Sequence, residues 1–181
     1  MRKIALLNYL LAAFVCLSVN TVVAAEPNYQ ELTWDDLMPL DFDPNTMYNE
    51  LDFSSYNIEN MTDDDPETQR LYADLMDINR RAPMVDTLEG VYAKLPGFIV
   101  PLEMDGDKVT SFFLVPYFGA CIHTPPPSPN QMVYVETQGI KLKSIDEPVW
   151  VRGRMLVETV DNEVGMAGYT MYTNLVDSYY D

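Results

Sequence analysis

From Val91 onward the chain breaks into short alternating runs separated by turn-forming residues. Successive side chains of a strand point to opposite faces, so such runs build half-buried strands. Val91-Tyr-Ala-Lys-Leu-Pro-Gly-Phe-Ile-Val100 starts with alternation and ends apolar. Asp105-Gly106 is a turn signal, and Thr110-Ser-Phe-Phe-Leu-Val115 resumes the pattern, so the two runs read as a hairpin. Gln131-Met-Val-Tyr-Val-Glu136 reads as another strand. Val149 to Val160 and Met166 to Val176 read as a final pair around Asp161-Asn162. Gly97 and Gly153 fall inside strand patterns, where they predict bulges or tight bends that let a small sheet curl. Five or more short strands with one helix predict a mainly β (α+β) fold. The expected form is a small, partly closed β-barrel resembling the oligonucleotide/oligosaccharide-binding type. There is no internal repeat and no second domain.

Residues 1–25 read as an export signal. Arg2 and Lys3 form the positive start, Leu10-Leu-Ala-Ala-Phe-Val-Cys-Leu17 the apolar middle, and Val23-Ala24-Ala25 the cleavage site. The apolar run is too short for a bilayer, which takes roughly 20 residues. Val15 before Cys16 disfavours lipid anchoring at that cysteine. The expected product is a periplasmic chain from about Glu26, with no membrane span after signal cleavage. It keeps nine basic residues against 28 acidic ones, a net charge of −19. A surface so acidic repels phosphate backbones, which excludes nucleic acid as a partner.

The acidity is concentrated in residues 26–84, read as an acidic N-terminal segment. Within it, Glu31-Leu-Thr-Trp-Asp-Asp-Leu-Met-Pro39 predicts a short helical turn, with Thr33 as N-cap and Trp34 and Leu37 on one small apolar face. Residues 41–65 have no clear period and read as irregular. Asp65 caps a helix over 66–81, with Pro66 at its first position and Glu67 near the positive end of its dipole. Its stripe of Leu71, Leu75 and Ile78, flanked by Tyr72 and Met76, reads as a packing face. The barrel-like domain is expected over 85–176, followed by a tail over 177–181.

The candidate site is Tyr117-Phe-Gly-Ala-Cys-Ile-His-Thr-Pro-Pro-Pro-Ser-Pro-Asn-Gln131. It holds His123, the chain's only histidine, two residues from Cys121, the only cysteine outside the signal. On an extended strand the two share one face, with Cα atoms roughly 6.6–7 Å apart. Such a pair suits Zn²⁺ or Cu⁺, with further ligands from a carboxylate (Glu103 or Glu136), a methionine, water or a partner. Two other readings stand beside this one: an imidazolium that activates the thiol, and a buried structural pair with no ligand. Pro125, Pro126, Pro127 and Pro129 cannot donate backbone hydrogen bonds and fix φ near −65°. They end any strand and form a stiff rim, either for a pocket or simply as a rigid crossover. Gly119 permits a bulge just before the pair. Asn130 and Gln131 offer amides that either orient His123 or cap the proline turn. The candidate metal ligands are therefore Cys121 and His123. The candidate ligand-binding residues are Tyr117, Pro125, Pro126, Pro127, Asn130 and Gln131.

Other catalytic signatures are missing. There is no phosphate-cradling glycine loop, no His-Glu-x-x-His helix and no Gly-x-Ser-x-Gly elbow. Asp63-Asp-Asp65 lacks the spacing of a calcium loop.

Leu95-Pro-Gly-Phe-Ile-Val-Pro-Leu-Glu103 and the long run Phe113 to Gln131 resemble the bacterial exported-protein family catalogued as domain of unknown function 3299. The similarity spans about residues 83 to 175, and Trp34-Asp-Asp-Leu-Met-Pro39 resembles a motif that members carry upstream. The family's Gly-Ala-Cys-Ile-His-x-Pro-Pro-Pro-x-Pro-Asn-Gln pattern falls on Gly119 through Gln131. Thr124 and Ser128 stand where members more often carry valine and proline. The resemblance implies an exported accessory protein, encoded beside transporters of the lipoprotein or macrolide-export type and sometimes in zinc-responsive settings. The expected function is a periplasmic, non-enzymatic binding or accessory protein that serves metal handling or an envelope ABC-type transporter component through the Cys-x-His site. A protein-interaction module with a structural Cys/His pair is the alternative, and a thiol-dependent enzyme ranks third.

Overall fold

A computed structural model describes residues 26–58, 61–62, 64–120 and 126–180. Nine strands occur among them: β1 (Gln30–Glu31), β2 (Tyr92–Asp105), β3 (Lys108–Val115), β4 (Val133–Ile140), β5 (Val149–Leu156), β6 (Val160–Asp161), β7 (Met166–Ala167), β8 (Tyr169–Tyr172) and β9 (Leu175–Ser178). Two α-helices, α1 (Pro44–Met47) and α2 (Pro66–Arg80), lie in the acidic segment. No helix among the described residues is long and apolar enough to cross a membrane.

The long strand β2 closes the barrel. Its first half pairs antiparallel with β5, from Tyr92↔Arg154 to Gly97↔Val149. Its second half pairs antiparallel with β3, from Phe98↔Val115 to Asp105↔Lys108. β3 then pairs with β4, β4 runs parallel to β8, and β8 returns to β5. The circuit β2-β3-β4-β8-β5 is thus a closed five-stranded barrel, mainly β and of the oligonucleotide/oligosaccharide-binding kind. The change of partner falls at Gly97. A Cβ there would stand 2.7 Å from the Val115 carbonyl oxygen, so only glycine lets β2 bend this close to β3.

The expected final strand pair differs in two respects. The first run ends at Leu156, and the residues around Asp161-Asn162 form a separate two-stranded sheet of β6 and β7. The returning chain is split into β8, which lies between β4 and the end of β5, and β9, which pairs with the start of β5. Thr173 and Asn174 make the break. The Thr173 hydroxyl donates to the Arg152 carbonyl at 2.6 Å, and Asn174 Oδ1 accepts from the Gln138 amide at 2.7 Å. The strand continues to Ser178, two residues beyond the expected edge of the barrel.

The interior holds Leu95, Phe112, Leu114, Val133, Met155, Tyr169 and Met171, closed by Leu32 and Leu37 from the N-terminal segment. The 3-10 turn Trp34–Leu37 docks as its spacing predicts: Leu37 is fully buried, and Trp34 Nε1 donates to the Pro96 carbonyl at 2.8 Å. β3 is buried on both faces from Ser111 to Val115. Phe112 and Leu114 point inward, while Phe113 and Val115 meet Ala120, Met132 and Ala167 in a smaller outer cluster. That cluster pins both ends of the segment joining β3 to β4. The stretch expected to be irregular contains α1, capped by Asp43, and two 3-10 turns at Tyr48–Glu50 and Phe53–Ser55. Helix α2 has the predicted cap, with the Asp65 carboxylate accepting from the Glu67 amide at 3.0 Å.

Candidate functional site: a groove beneath the proline rim

β3 stops at Val115, and residues 116–120 turn, with Gly119 at φ +80°. Cys121 and His123 follow this turn in the sequence. Together with Pro125 they fall outside the described residues, between the buried Ala120 and the rim residue Pro126.

The far side of the rim is fixed by side-chain hydrogen bonds. Pro129–Gln131 forms a 3-10 turn. Asn130 is fully buried: its Nδ2 donates to the Pro83 carbonyl at 2.9 Å, and its Oδ1 accepts from the Ser128 hydroxyl at 2.8 Å. Gln131 Nε2 donates to the Trp34 carbonyl at 2.9 Å, and Asn79 Nδ2 on α2 donates to the Pro126 carbonyl at 3.3 Å. The two amides expected to orient His123 or cap the proline turn thus tie the rim to the chain after α2 and to the Trp34 turn. A third tie joins the same elements. The buried Tyr169 hydroxyl accepts from the Val85 amide at 2.6 Å and donates to the Leu37 carbonyl at 2.8 Å. Burial holds this phenol above its ordinary range.

These ties leave an open groove of about 590 Å³ between the rim and the helical segment. One wall is Pro116, Tyr117, Pro126, Pro127 and Gln131. The other is Tyr72, Leu75, Met76 and Asn79 of α2, with Met38, Pro44 and Tyr48 at its edge. Of the predicted ligand-binding residues, Tyr117, Pro126, Pro127 and Gln131 meet here, while Asn130 sits behind the wall. Tyr72 and Tyr117 are each about half exposed. The stripe of α2 packs less completely than its spacing predicts. Ile78 is buried, but Leu75 and Met76 are only half-buried and face the groove. Sequence reasoning did not assign the α2 wall to the site. The available signal was an apolar face broadened by Tyr72 and Met76 beyond what one packing contact uses. Among the described residues, no three His, Cys, Asp or Glu side chains gather as a metal cluster.

A family model described as a protein of unknown function (DUF3299) matches residues 34–178. The crystal structure of a DUF3299 family protein from Pseudomonas aeruginosa PAO1 is similar to this chain, with 35% sequence identity and a TM-score of 0.62. The similarity covers 84% of this chain and 97% of that one. No match was found among curated proteins. The chain belongs to the DUF3299 family.

Proposed function

We propose that this DUF3299 member is a periplasmic, non-enzymatic binding protein, exported by residues 1–25, that serves an envelope transporter or metal handling. Its recognition surface is the groove between α2 and the proline rim, and the occupant is a short apolar peptide segment of an envelope partner. The observation that carries this reading is the groove itself. Its volume of about 590 Å³ lies within the roughly 300–1,000 Å³ common for binding sites. It is walled by tyrosine, proline, methionine and leucine. Tyrosines supply wide contact area at low entropy cost, and aromatic walls suit extended apolar or proline-containing segments. The rim is stiff and already hydrogen-bonded, so little ordering remains to oppose binding. The resemblance to transporter-associated accessory proteins supports a partner in the envelope.

A photo-crosslinking residue at Tyr72 or Tyr117, in protein exported by living cells, is expected to trap a discrete partner that the same residue at Lys108 does not. Identical adducts at all three positions, or none in the groove, would overturn the assignment.

The second reading rests on Cys121 and His123, two metal donors in the sequence segment that joins Ala120 to Pro126. The reduced, purified protein is expected to hold about one Zn²⁺ or Cu⁺, lost in Cys121→Ser. Stoichiometric metal in that variant rejects this reading. A partner still trapped at Tyr72 when Cys121 and His123 are both replaced assigns the pair a structural role.

A further inference from the structure

A second groove, of about 660 Å³, shares no lining residue with the first. It lies between the loop 141–148 and the outer face of β2, β5 and β9. Cations outnumber acids among its lining residues, the reverse of the molecule as a whole. The chain carries a formal net charge of −17, and only nine of its basic residues follow residue 25. Four of those nine, Lys94, Lys141, Lys143 and Arg152, line this one groove, against Glu147 and Asp177.

The sheet register produces this concentration. Lys94 on β2 is directly opposite Arg152 on β5, and Trp150 is opposite Asp177 on β9. The Lys94 ammonium stands 3.8 Å from the centre of the Trp150 ring, which stacks on Tyr179 at 5.2 Å. A cation held on an aromatic face keeps its position without needing an acidic partner at every moment. The carboxylates nearby are the looser members of their pairs. Asp177 bonds Arg152 at 2.8 Å, but its side chain is 53% exposed against 29% for the arginine. Glu31 reaches Lys94 only at 3.5 Å and is 65% exposed against 31%. Lys141 is bonded to Asp107 at 2.6 Å, with both side chains more than half exposed. Exposed pairs of this kind contribute little to stability, so an incoming anion can displace any of these three acids at small cost.

We infer that this groove is an anion-binding site for a compact ligand bearing two or more oxyanion groups, free or presented on a membrane headgroup. Arg152 offers a planar fork to one group, while Lys94 and the two loop lysines meet the others as point charges. The acidic remainder of the surface repels anions at longer range, so binding depends on short contacts inside the groove, which salt screens less than it screens that repulsion.

Isothermal titration of the mature protein with pyrophosphate at moderate salt tests this directly, together with co-sedimentation on phosphatidylcholine vesicles with and without cardiolipin, whose headgroup carries two phosphates. Saturable binding of pyrophosphate, or selective sedimentation with the anionic vesicles, is expected, and the arm that responds identifies the source of the anion. Arg152→Gln should weaken it at least tenfold. The double variant Lys141→Gln/Lys143→Gln, confined to the loop and independent of barrel packing, should do the same, and Lys108→Gln should leave it unchanged. Absence of both responses in the wild type, or affinity retained by the loop double variant, overturns the inference.

Discussion

Replacing Tyr169 with phenylalanine removes one oxygen atom and unties three parts of the molecule. That hydroxyl bonds the Val85 amide after α2 and the Leu37 carbonyl in the N-terminal turn, while its ring fills the barrel core. The ring is retained in Tyr169→Phe, so the loss is confined to two hydrogen bonds, each worth about 1 kcal/mol net. The Leu37 carbonyl belongs to a fully buried residue, and leaving it unpaired adds a desolvation cost of about 1 kcal/mol or more. Val85 is half-buried, so water can satisfy its amide and limit the total. The expected destabilisation is about 2–3 kcal/mol, which lowers Tm by about 5–10 °C for a chain of this length. Thermal melts and hydrogen exchange provide the assay, with faster exchange expected at Val85 and through the Trp34–Leu37 turn. The alkaline limb adds a sign check. Burial raises the folded phenol's pKa above its ordinary value of 10.0, so the unfolded chain ionises first. This contribution to wild-type stability is therefore present below pH 10 and declines as pH rises past it, whereas the phenyl ring of the variant has nothing to ionise. The stability gap should narrow in alkali. A Tm shift under about 2 °C at neutral pH, with unchanged exchange at Val85, would refute the tie between barrel and N-terminal segment.

Gly97→Ala should destabilise the barrel by about 1–3 kcal/mol in urea titrations, because the new methyl group would stand 2.7 Å from the Val115 carbonyl oxygen and 2.9 Å from Leu114 Cγ. Wild-type stability in this variant would place the bend elsewhere. The Asp36 carboxylate accepts from both the Thr33 amide and the Thr33 hydroxyl at 2.7 Å, and these bonds hold its pKa below the ordinary 3.8. Its contribution is therefore present above pH 3.8 and lost as pH falls through the lower folded value. The Tm difference between wild type and Asp36→Asn should be greatest near neutrality and vanish in strong acid.

Much of the barrel was legible in the sequence because a half-buried strand writes its two faces into alternate residues. The β2–β3 hairpin with its Asp105-Gly106 turn, β4, β5 and the Asp65 cap of α2 all follow from such local patterns. What local pattern cannot express is a strand that changes partner. β2 is a single run of 14 residues, yet it belongs to β5 up to Gly97 and to β3 from Phe98. Likewise, the split of the last strand depends on Thr173 and Asn174 bonding to residues 21 and 36 positions away. Those partners are adjacent only after closure.

The candidate site shows the same division between what a motif states and what it leaves to the fold. Residues 117–131 form one dense motif, but the structure separates the described members by task. Ala120 anchors the segment in the outer cluster, Asn130 and Gln131 lash it to Pro83 and Trp34, and Tyr117, Pro126 and Pro127 face the groove. A run of residue types does not distinguish an amide that meets a ligand from one that meets a distant carbonyl, because the acceptors lie 47 and 97 positions away. The opposite wall is written in a helix that reads locally as a packing stripe. Its remaining apolar width has a purpose only once Asn79 meets Pro126 across the gap. The rim therefore acquires its shape from the acidic segment, and loosening that segment's ties through the Tyr169 hydroxyl or Trp34 should open the groove before it unfolds the barrel.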